Sequence, residues 1–144
     1  MPHPLSDPTI VFLQTVWALD HRLQSHSKRM KSSTGVTGPQ RLVLRILSFR
    51  PKISPSELAR ILYFHKSTVT VILRSLERAK LVRRQPNTED RRAVVLVLTP
   101  AGKRIADQRS GTVEAAVRAA LARIPKRDVE IARSVLERLA TSLV

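Results

Sequence analysis

Residues 54–102 have the sequence SPSELARILYFHKSTVTVILRSLERAKLVRRQPNTEDRRAVVLVLTPAG, and this stretch decides the fold. Ser54 and Glu57 form a capping-box pattern with a proline between them, which favours a helix that begins at this point. After a three-residue interruption, a second helical pattern starts at Lys66. The spacing predicts two short helices joined by a tight turn, a helix-turn-helix.

Two short apolar segments come next, at residues 81–84 and 93–98. The loop between them, residues 86–92, is rich in turn-forming residues and carries two adjacent arginines. This pattern predicts a basic β-hairpin. A helix-turn-helix followed by such a hairpin is typical of a DNA-binding winged helix.

Helical spacing also predicts elements on the N-terminal side. Apolar residues recur at helical spacing over residues 8–30, which indicates an amphipathic helix, and residues 31–36 form a polar linker. Thr37 then starts another helix as a capping box with Gln40, and Pro51 ends it.

Two further helices are predicted after the hairpin. Thr99 and Pro100 repeat the cap-then-proline start and open a long alanine-rich helix to Ile124, where Pro125 stops it. The last helix carries an apolar stripe formed by Val129, Ala132, Val135, Leu136, Leu139 and Leu143.

These elements predict a mainly α fold with a small β-hairpin. The expected architecture is a winged helix-turn-helix (residues 37–104) flanked by N-terminal (residues 1–36) and C-terminal (residues 105–144) dimerisation helices. The first and last helices each have an apolar stripe that the small central core cannot cover, so we expect them to interdigitate with those of a second copy in a two-fold homodimer. Packing of the two ends within one chain is the alternative.

Composition restricts the partner. The 144 residues include 26 Lys and Arg against 11 Asp and Glu, and the formal charge of +15 favours a polyanion. Residues 22–52 contain eight of these cations and no acid.

No apolar run approaches the roughly 20 residues of a spanning helix and no signal peptide is evident, so we expect a cytoplasmic protein without a membrane partner. The chain has no cysteine, which excludes thiol chemistry.

The second helix of the helix-turn-helix separates into two faces. Val69 and Leu73 lie on an apolar side, while small polar residues surround Arg74 on the other. Short side chains allow close approach to a major groove, Val71 can touch a thymine methyl, and Arg74 can pair with guanine O6 and N7. The candidate recognition residues are Lys66, Ser67, Thr68, Thr70, Val71 and Arg74. For one helix taken alone, an ordinary solvated face is the alternative.

Residues outside this helix complete the expected contacts with double-stranded DNA. In the hairpin the candidates are Asp90, Arg91 and Arg92, because an arginine at a wing tip can enter the narrow, electronegative minor groove. Asp90 would hold one arginine extended, or would simply form the turn. The candidate phosphate contacts are Arg41, Ser54 and Arg84.

The chain resembles the MarR family of transcriptional regulators over most of its length. The resemblance rests on SPSELA at residues 54–59, KSTVT at residues 66–70, and most specifically DRR at residues 90–92 followed by LTPAG at residues 98–102. It implies a homodimer with recognition helices in successive major grooves and wings in the minor grooves of a pseudo-palindrome. It also implies that Arg92 is the minor-groove arginine and that Asp90 supports it.

Two positions depart from the family pattern. The family often has glycine or a small polar residue where this chain has Tyr63, and glycine where it has Lys80. We therefore expect Lys80 to adopt a left-handed conformation at the end of the recognition helix.

The resemblance further implies a small anionic or phenolic effector that binds between the dimer helices and the winged helix. The candidate residues for it are Trp17, His21, Arg45 and Phe49. Alternatively, the two aromatic residues are core and His21 is a surface residue. We expect no cofactor and no metal, since the four histidines lack carboxylates at ligand spacing: His3, His21, His26 and His65.

The leading hypothesis is a dimeric, sequence-specific regulator, most often a repressor. A basic RNA-binding winged helix is one alternative, although no aromatic residue for base stacking lies in the recognition helix or wing. A weakly specific architectural DNA-binding protein without an effector is another. An enzyme is not expected, because no catalytic triad, carboxylate pair, phosphate loop or metal cluster appears.

Overall fold

The computed structural model describes residues 7–143, in which seven helices and two strands form. The helices are α1 (Pro8–Thr34), α2 (Gly38–Phe49), α3 (Pro55–Leu62), α4 (Lys66–Arg78), α5 (Pro100–Asp107), α6 (Val113–Leu121) and α7 (Lys126–Ser142). The strands β1 (Val82–Pro86) and β2 (Val94–Leu98) lie between α4 and α5 and differ from the predicted segments by one or two residues. The predicted mainly α fold with a small hairpin is confirmed; residues 1–6 and 144 of the proposed domain ranges lie outside the described residues.

Side-chain caps start α2 and α3 where the sequence predicted them. The Thr37 and Ser54 hydroxyls accept from the backbone amides of Gln40 and Glu57, at 3.3 and 3.1 Å. The Gln40 and Glu57 side chains accept in return from the amides of the two cap residues, at 2.9 and 3.3 Å. Each box satisfies two backbone donors that have no partner within the helix.

The core lies between α2, α3, α4 and the hairpin. β1 and β2 pair in antiparallel register, with Val82 opposite Leu98. Ile53 extends this sheet, because its carbonyl accepts a hydrogen bond from the Leu96 amide at 2.9 Å. Buried leucines from all these layers meet in the centre: Leu44, Leu47, Leu58, Leu73, Leu76 and Leu96.

Lys80 has the left-handed backbone that the sequence predicted, with a φ of 58°. The Leu81 amide donates to the Leu76 carbonyl at 2.9 Å, and the Lys80 amide donates to the Glu77 carbonyl at 3.0 Å. These two bonds form a Schellman motif, which usually has glycine at the left-handed position. The motif turns the chain from α4 directly into β1.

α5 and the hairpin approach closely at Gly102. A β-carbon on this residue would overlap the Leu81 carbonyl oxygen. Thr99 strengthens the contact, because its hydroxyl donates to the Lys80 carbonyl at 2.7 Å and accepts from the Gly102 amide at 3.0 Å. The threonine and glycine of the LTPAG motif therefore join α5 to the turn before β1.

The predicted linker at residues 31–36 is wrong at its start. α1 continues to Thr34, whose hydroxyl donates to the Met30 carbonyl at 2.8 Å, and it ends at Gly35 with a φ of 84°. The small polar residues bond back to the helix instead of leaving it.

The single long helix predicted from Thr99 to Ile124 is also wrong, because it is two helices. Gln108 leaves α5 with an extended ψ of 130°, and Gly111 has a left-handed φ of 69°. Thr112 then caps α6 by accepting from the Ala115 amide at 3.1 Å. This break gives α6 its own direction, along which it packs on α1.

Candidate nucleic-acid interface

α4 presents the predicted outer face to solvent. Val69, Leu73 and Leu76 are buried, whereas Val71 exposes 64% of its surface. The other candidate recognition residues are all exposed: Lys66, Ser67, Thr68, Thr70 and Arg74. A small, partly apolar face around one arginine is sterically suited to close contact with base edges.

The tip of the hairpin consists of two side-chain-to-backbone turns. Asn87 accepts from the Glu89 amide and Asp90 accepts from the Arg92 amide, both at 3.0 Å. In the described chain, no ion pair joins Asp90 to an arginine side chain. Asp90 therefore fixes the backbone at Arg92 and leaves the exposed guanidiniums of Arg91 and Arg92 available.

Arg84, a candidate phosphate contact, forms an ion pair between the hairpin and α4. Its Nε lies 2.7 Å from Oε1 of Glu77 on α4. This pair joins α4 to β1, so it holds the hairpin against α4. Ser54, another candidate, is half-buried and uses its hydroxyl oxygen in the α3 cap.

Arg41 does not lie on the surface, which corrects its assignment as a phosphate contact. The residue is 4% exposed, and its Nε donates to Oε1 of Glu114 at 2.6 Å. Its terminal nitrogens donate to the carbonyls of Ile105, Ala106 and Gln108. The last carbonyls of a helix have no donor within the helix, and this guanidinium supplies donors to them.

A cavity of about 750 Å³ opens between α1, α2 and α6. Leu23, Leu42 and Val117 are among its apolar lining residues, and Lys28 and Arg45 are among its cations. Of the four residues predicted to bind an effector, Arg45 alone lines this cavity.

The other predicted effector residues lie elsewhere. Trp17 and Phe49 are 65% and 70% exposed, which also excludes them from the core of the single chain, and His21 is a surface residue. Arg45 does contact Phe49, since its Cζ lies 4.7 Å from the ring centroid. Arg45 and Phe49 therefore lie together, and the binding of an effector by the four residues stays a prediction.

Within residues 7–143, no three His, Asp or Glu side chains lie close enough together to share a metal ion. His3 lies outside the described residues. No helix in the same range is long and apolar enough to cross a bilayer.

Comparison with known proteins identifies the family. A sequence model described as the MarR family matches residues 34–93. The HTH-type transcriptional repressor Rv2887 of Mycobacterium tuberculosis strain H37Rv is 32% identical over 110 residues, which cover 76% of this chain and 79% of that protein. The chain belongs to the MarR family.

Solved structures share the fold of this MarR-family chain. A MepR-like protein complexed with pseudoligands superposes with a TM-score of 0.77 at 24% identity, covering 95% of this chain and 97% of the other. The S. aureus MepR–DNA complex gives a TM-score of 0.78 at 19% identity, covering 92% of this chain and 98% of the other. The likeness confirms the predicted winged-helix architecture.

Sequence reasoning missed the long-range contacts of two residues in this MarR-family chain, Glu114 and Gln40. Glu114 on α6 faces Arg45 and Arg118 at 3.8 and 3.9 Å in addition to its bond with Arg41. The Gln40 side chain, part of the α2 cap, also donates to the Ser75 hydroxyl on α4 at 3.0 Å. One feature of the sequence could have indicated the Glu114 contacts. Glu114 is the single acid in residues 108–127, and residues 22–52 contain eight Lys or Arg and no acid with which they could pair.

Proposed function

We propose that this MarR-family chain is a homodimeric, sequence-specific DNA-binding transcriptional repressor. The proposal is carried by the exposed outer face of α4, which is joined through the Glu77–Arg84 pair to a hairpin with two exposed arginines. α4 would enter the major groove, where Arg74 pairs with guanine. The hairpin would place Arg92 in the adjacent minor groove.

The relatives and the charge support this proposal. Rv2887 is named a repressor, and MepR was crystallised with DNA. The formal charge of +15 favours double-stranded DNA as the partner because cations that neutralise phosphates release condensed counterions. With chromosomal DNA as its ligand, the protein would act in the cytoplasm.

The exposed stripe of α7 supports the homodimer. No side chain of this helix is buried, and Val135, Leu136 and Leu139 are 39%, 44% and 38% exposed. A second copy can cover this stripe with the same residues, as a two-fold interface requires. The two α4 helices would then reach half-sites about one helical turn apart.

Selection of bound sequences from random duplex DNA tests the proposal. We expect a pseudo-palindrome with half-sites about one turn apart, and a large affinity ratio over scrambled DNA at several salt concentrations. If no motif is enriched and affinity collapses steeply with salt, the protein is instead a weakly specific architectural DNA-binding protein.

We also propose that a small anionic or phenolic effector enters the cavity between α1, α2 and α6 and weakens DNA binding. The cavity has a volume typical of small-molecule sites, its apolar walls suit an aromatic ring, and its three lining cations, among them Lys28 and Arg45, outnumber its two lining acids. Salicylate is a suitable probe of this class. We expect it to release operator DNA from the wild type at lower concentration than from Leu42→Trp, whose larger side chain occupies part of the cavity; equal release from both would contradict the assigned site.

A further inference from the structure

Two sets of hydrogen bonds join the winged helix to the helices outside it, and both lie at the start of α2. The Gly38 amide donates to the Ser27 hydroxyl of α1 at 2.7 Å. One turn later, Arg41 binds the end of α5 and Glu114 of α6. The start of α2 is therefore bonded to both helices, α1 and α6, that lead out of the winged helix.

The Arg41 contact spans the break between α5 and α6. The chain is not helical over residues 108–112, where Gly111 has a left-handed backbone. Such a segment would allow α6 a range of directions if nothing held it. Arg41 bonds to both sides of the break, to the Ile105 and Ala106 carbonyls before it and to the Glu114 carboxylate after it.

The chemistry of this contact requires arginine. One planar guanidinium serves four acceptors, and the positive charge lies at the negative end of the α5 dipole. The Arg41 side chain is 5% exposed, so Glu114 also supplies the counter-charge that a buried cation needs. A lysine at the same place has one nitrogen and cannot reach all four oxygens.

We propose that Arg41 and Glu114 are positioning residues that set the angle between the winged helix and α6, and thereby the separation of the two recognition helices in the dimer. The inference rests on the proposed function, because it concerns a dimer bound to two half-sites. A rigid link lets the dimer bind one half-site spacing without strain. Each added base pair moves a half-site by about 3.4 Å and rotates it by roughly 35°.

A spacing series tests this inference. The selected operator is compared with versions whose spacer is one base pair shorter or longer, using wild type, Arg41→Lys and Glu114→Gln. We expect wild type to lose at least about tenfold in affinity on either change, since the cost of distorting the complex reaches several kcal/mol. Both variants should bind the original operator less tightly and discriminate among the spacings by less than about threefold, while base preference within each half-site stays as in wild type.

Arg133→Gln is the matched control. Arg133 is exposed, lies outside the apolar stripe of α7, and pairs with Glu130 and Glu137 at 3.2 and 2.6 Å, within its own helix. Its hydrogen bond to Glu130 and the charges of both carboxylates raise the pKa of its guanidinium. Like Arg41, it is therefore an arginine that pairs with a glutamate. We call the relative affinities of a protein for the three spacers its spacing profile. We expect the spacing profile of this variant to equal that of wild type.

The outcomes separate the inference from the proposed function. Folded, dimeric variants that keep the wild-type spacing profile overturn the roles of Arg41 and Glu114. A wild type that binds all three spacings equally overturns the rigid link, whereas a wild type that binds a single half-site as tightly as the full operator overturns the two-headed repressor itself. If Arg41→Lys fails to fold, Glu114→Gln decides, because Glu114 is 36% exposed and glutamine keeps its size while removing the negative charge that holds Arg41. A general loss of stability would weaken binding to all three spacers by the same factor. The ratios of affinity among the spacers would then stay as in wild type.

Discussion

Arg74 projects from α4 among exposed side chains that are shorter than itself, including Thr70 and Val71. In the proposed complex its guanidinium would therefore reach further toward a base pair than these neighbours do. Arg92 lies at the hairpin tip, and in the proposed complex it would meet the minor groove, which offers a strong negative potential and little sequence information. At the residue scale, the two arginines should contribute differently to affinity and specificity.

We expect Arg74→Ala to cost about 1–3 kcal/mol at the cognate site and to relax base preference there. Arg92→Ala should weaken binding with a smaller effect on base preference, because its groove distinguishes fewer base pairs. Titrations of each variant against cognate and scrambled duplexes measure both effects. Equal losses on the two duplexes for Arg74→Ala would contradict its assigned role.

Lys80 illustrates a residue-scale cost in stability. Its left-handed backbone is strained by about 1 kcal/mol for a residue with a β-carbon, and glycine avoids this strain. We expect Lys80→Gly to raise the free energy of unfolding by up to about 1 kcal/mol in urea denaturation, because the relief of strain exceeds the added freedom that glycine gives the unfolded chain.

Ala79→Gly provides the control for Lys80→Gly. Ala79 has an ordinary right-handed backbone with a φ of −76°. Glycine there relieves no strain and increases the freedom of the unfolded chain, so stability should fall. If both glycine variants shift stability in the same direction, the left-handed strain at Lys80 is not the cause.

At the element scale, the attachment of α5 to the hairpin depends on Gly102. We expect Gly102→Ala to lower the free energy of unfolding by about 2–3 kcal/mol, because the added methyl must push α5 away from the Leu81 carbonyl. Lys103→Ala, at the exposed next position, should change stability by less than about 0.5 kcal/mol. Thermal unfolding of the two variants checks this difference, and a Gly102→Ala protein as stable as Lys103→Ala would show that α5 can shift freely.

The same scale shows what the sequence could and could not predict. The caps at Thr37 and Ser54 are local, and each depends on a partner three residues away, so pattern alone located them. The break before Thr112 was missed because the surrounding alanines favour a helix, whereas α6 is directed by packing on α1. Arg41 was misassigned because its partners are also distant in sequence: its acceptors lie 64 to 73 residues further along the chain. Local signals predicted the winged helix, and non-local contacts determined how it is attached.

At the scale of the whole molecule, dimerisation should control DNA binding. Leu136→Glu places a charge in the exposed stripe of α7, and burying that charge between two copies would be costly. We expect light scattering to give a monomer mass for this variant at micromolar concentration and affinity for the full operator to fall to that of a half-site.

Ser134→Glu adds the same charge on the opposite face of α7 and serves as the control. It should remain dimeric and bind the operator as wild type does. A dimeric Leu136→Glu protein would show that the stripe is not the interface, and a monomeric wild type would remove the two-fold arrangement altogether.

The exposed cations of α4 and the hairpin have a consequence for the kinetics of operator search. A dimer doubles the charge of +15, and such a protein adheres to duplex DNA of any sequence. In a cell, most copies would then be held by the chromosome and would reach their target by sliding and hopping along it rather than by free diffusion. The copy number needed to occupy one operator would depend on genome length and on the ratio of specific to non-specific affinity, not on the Kd for the operator alone.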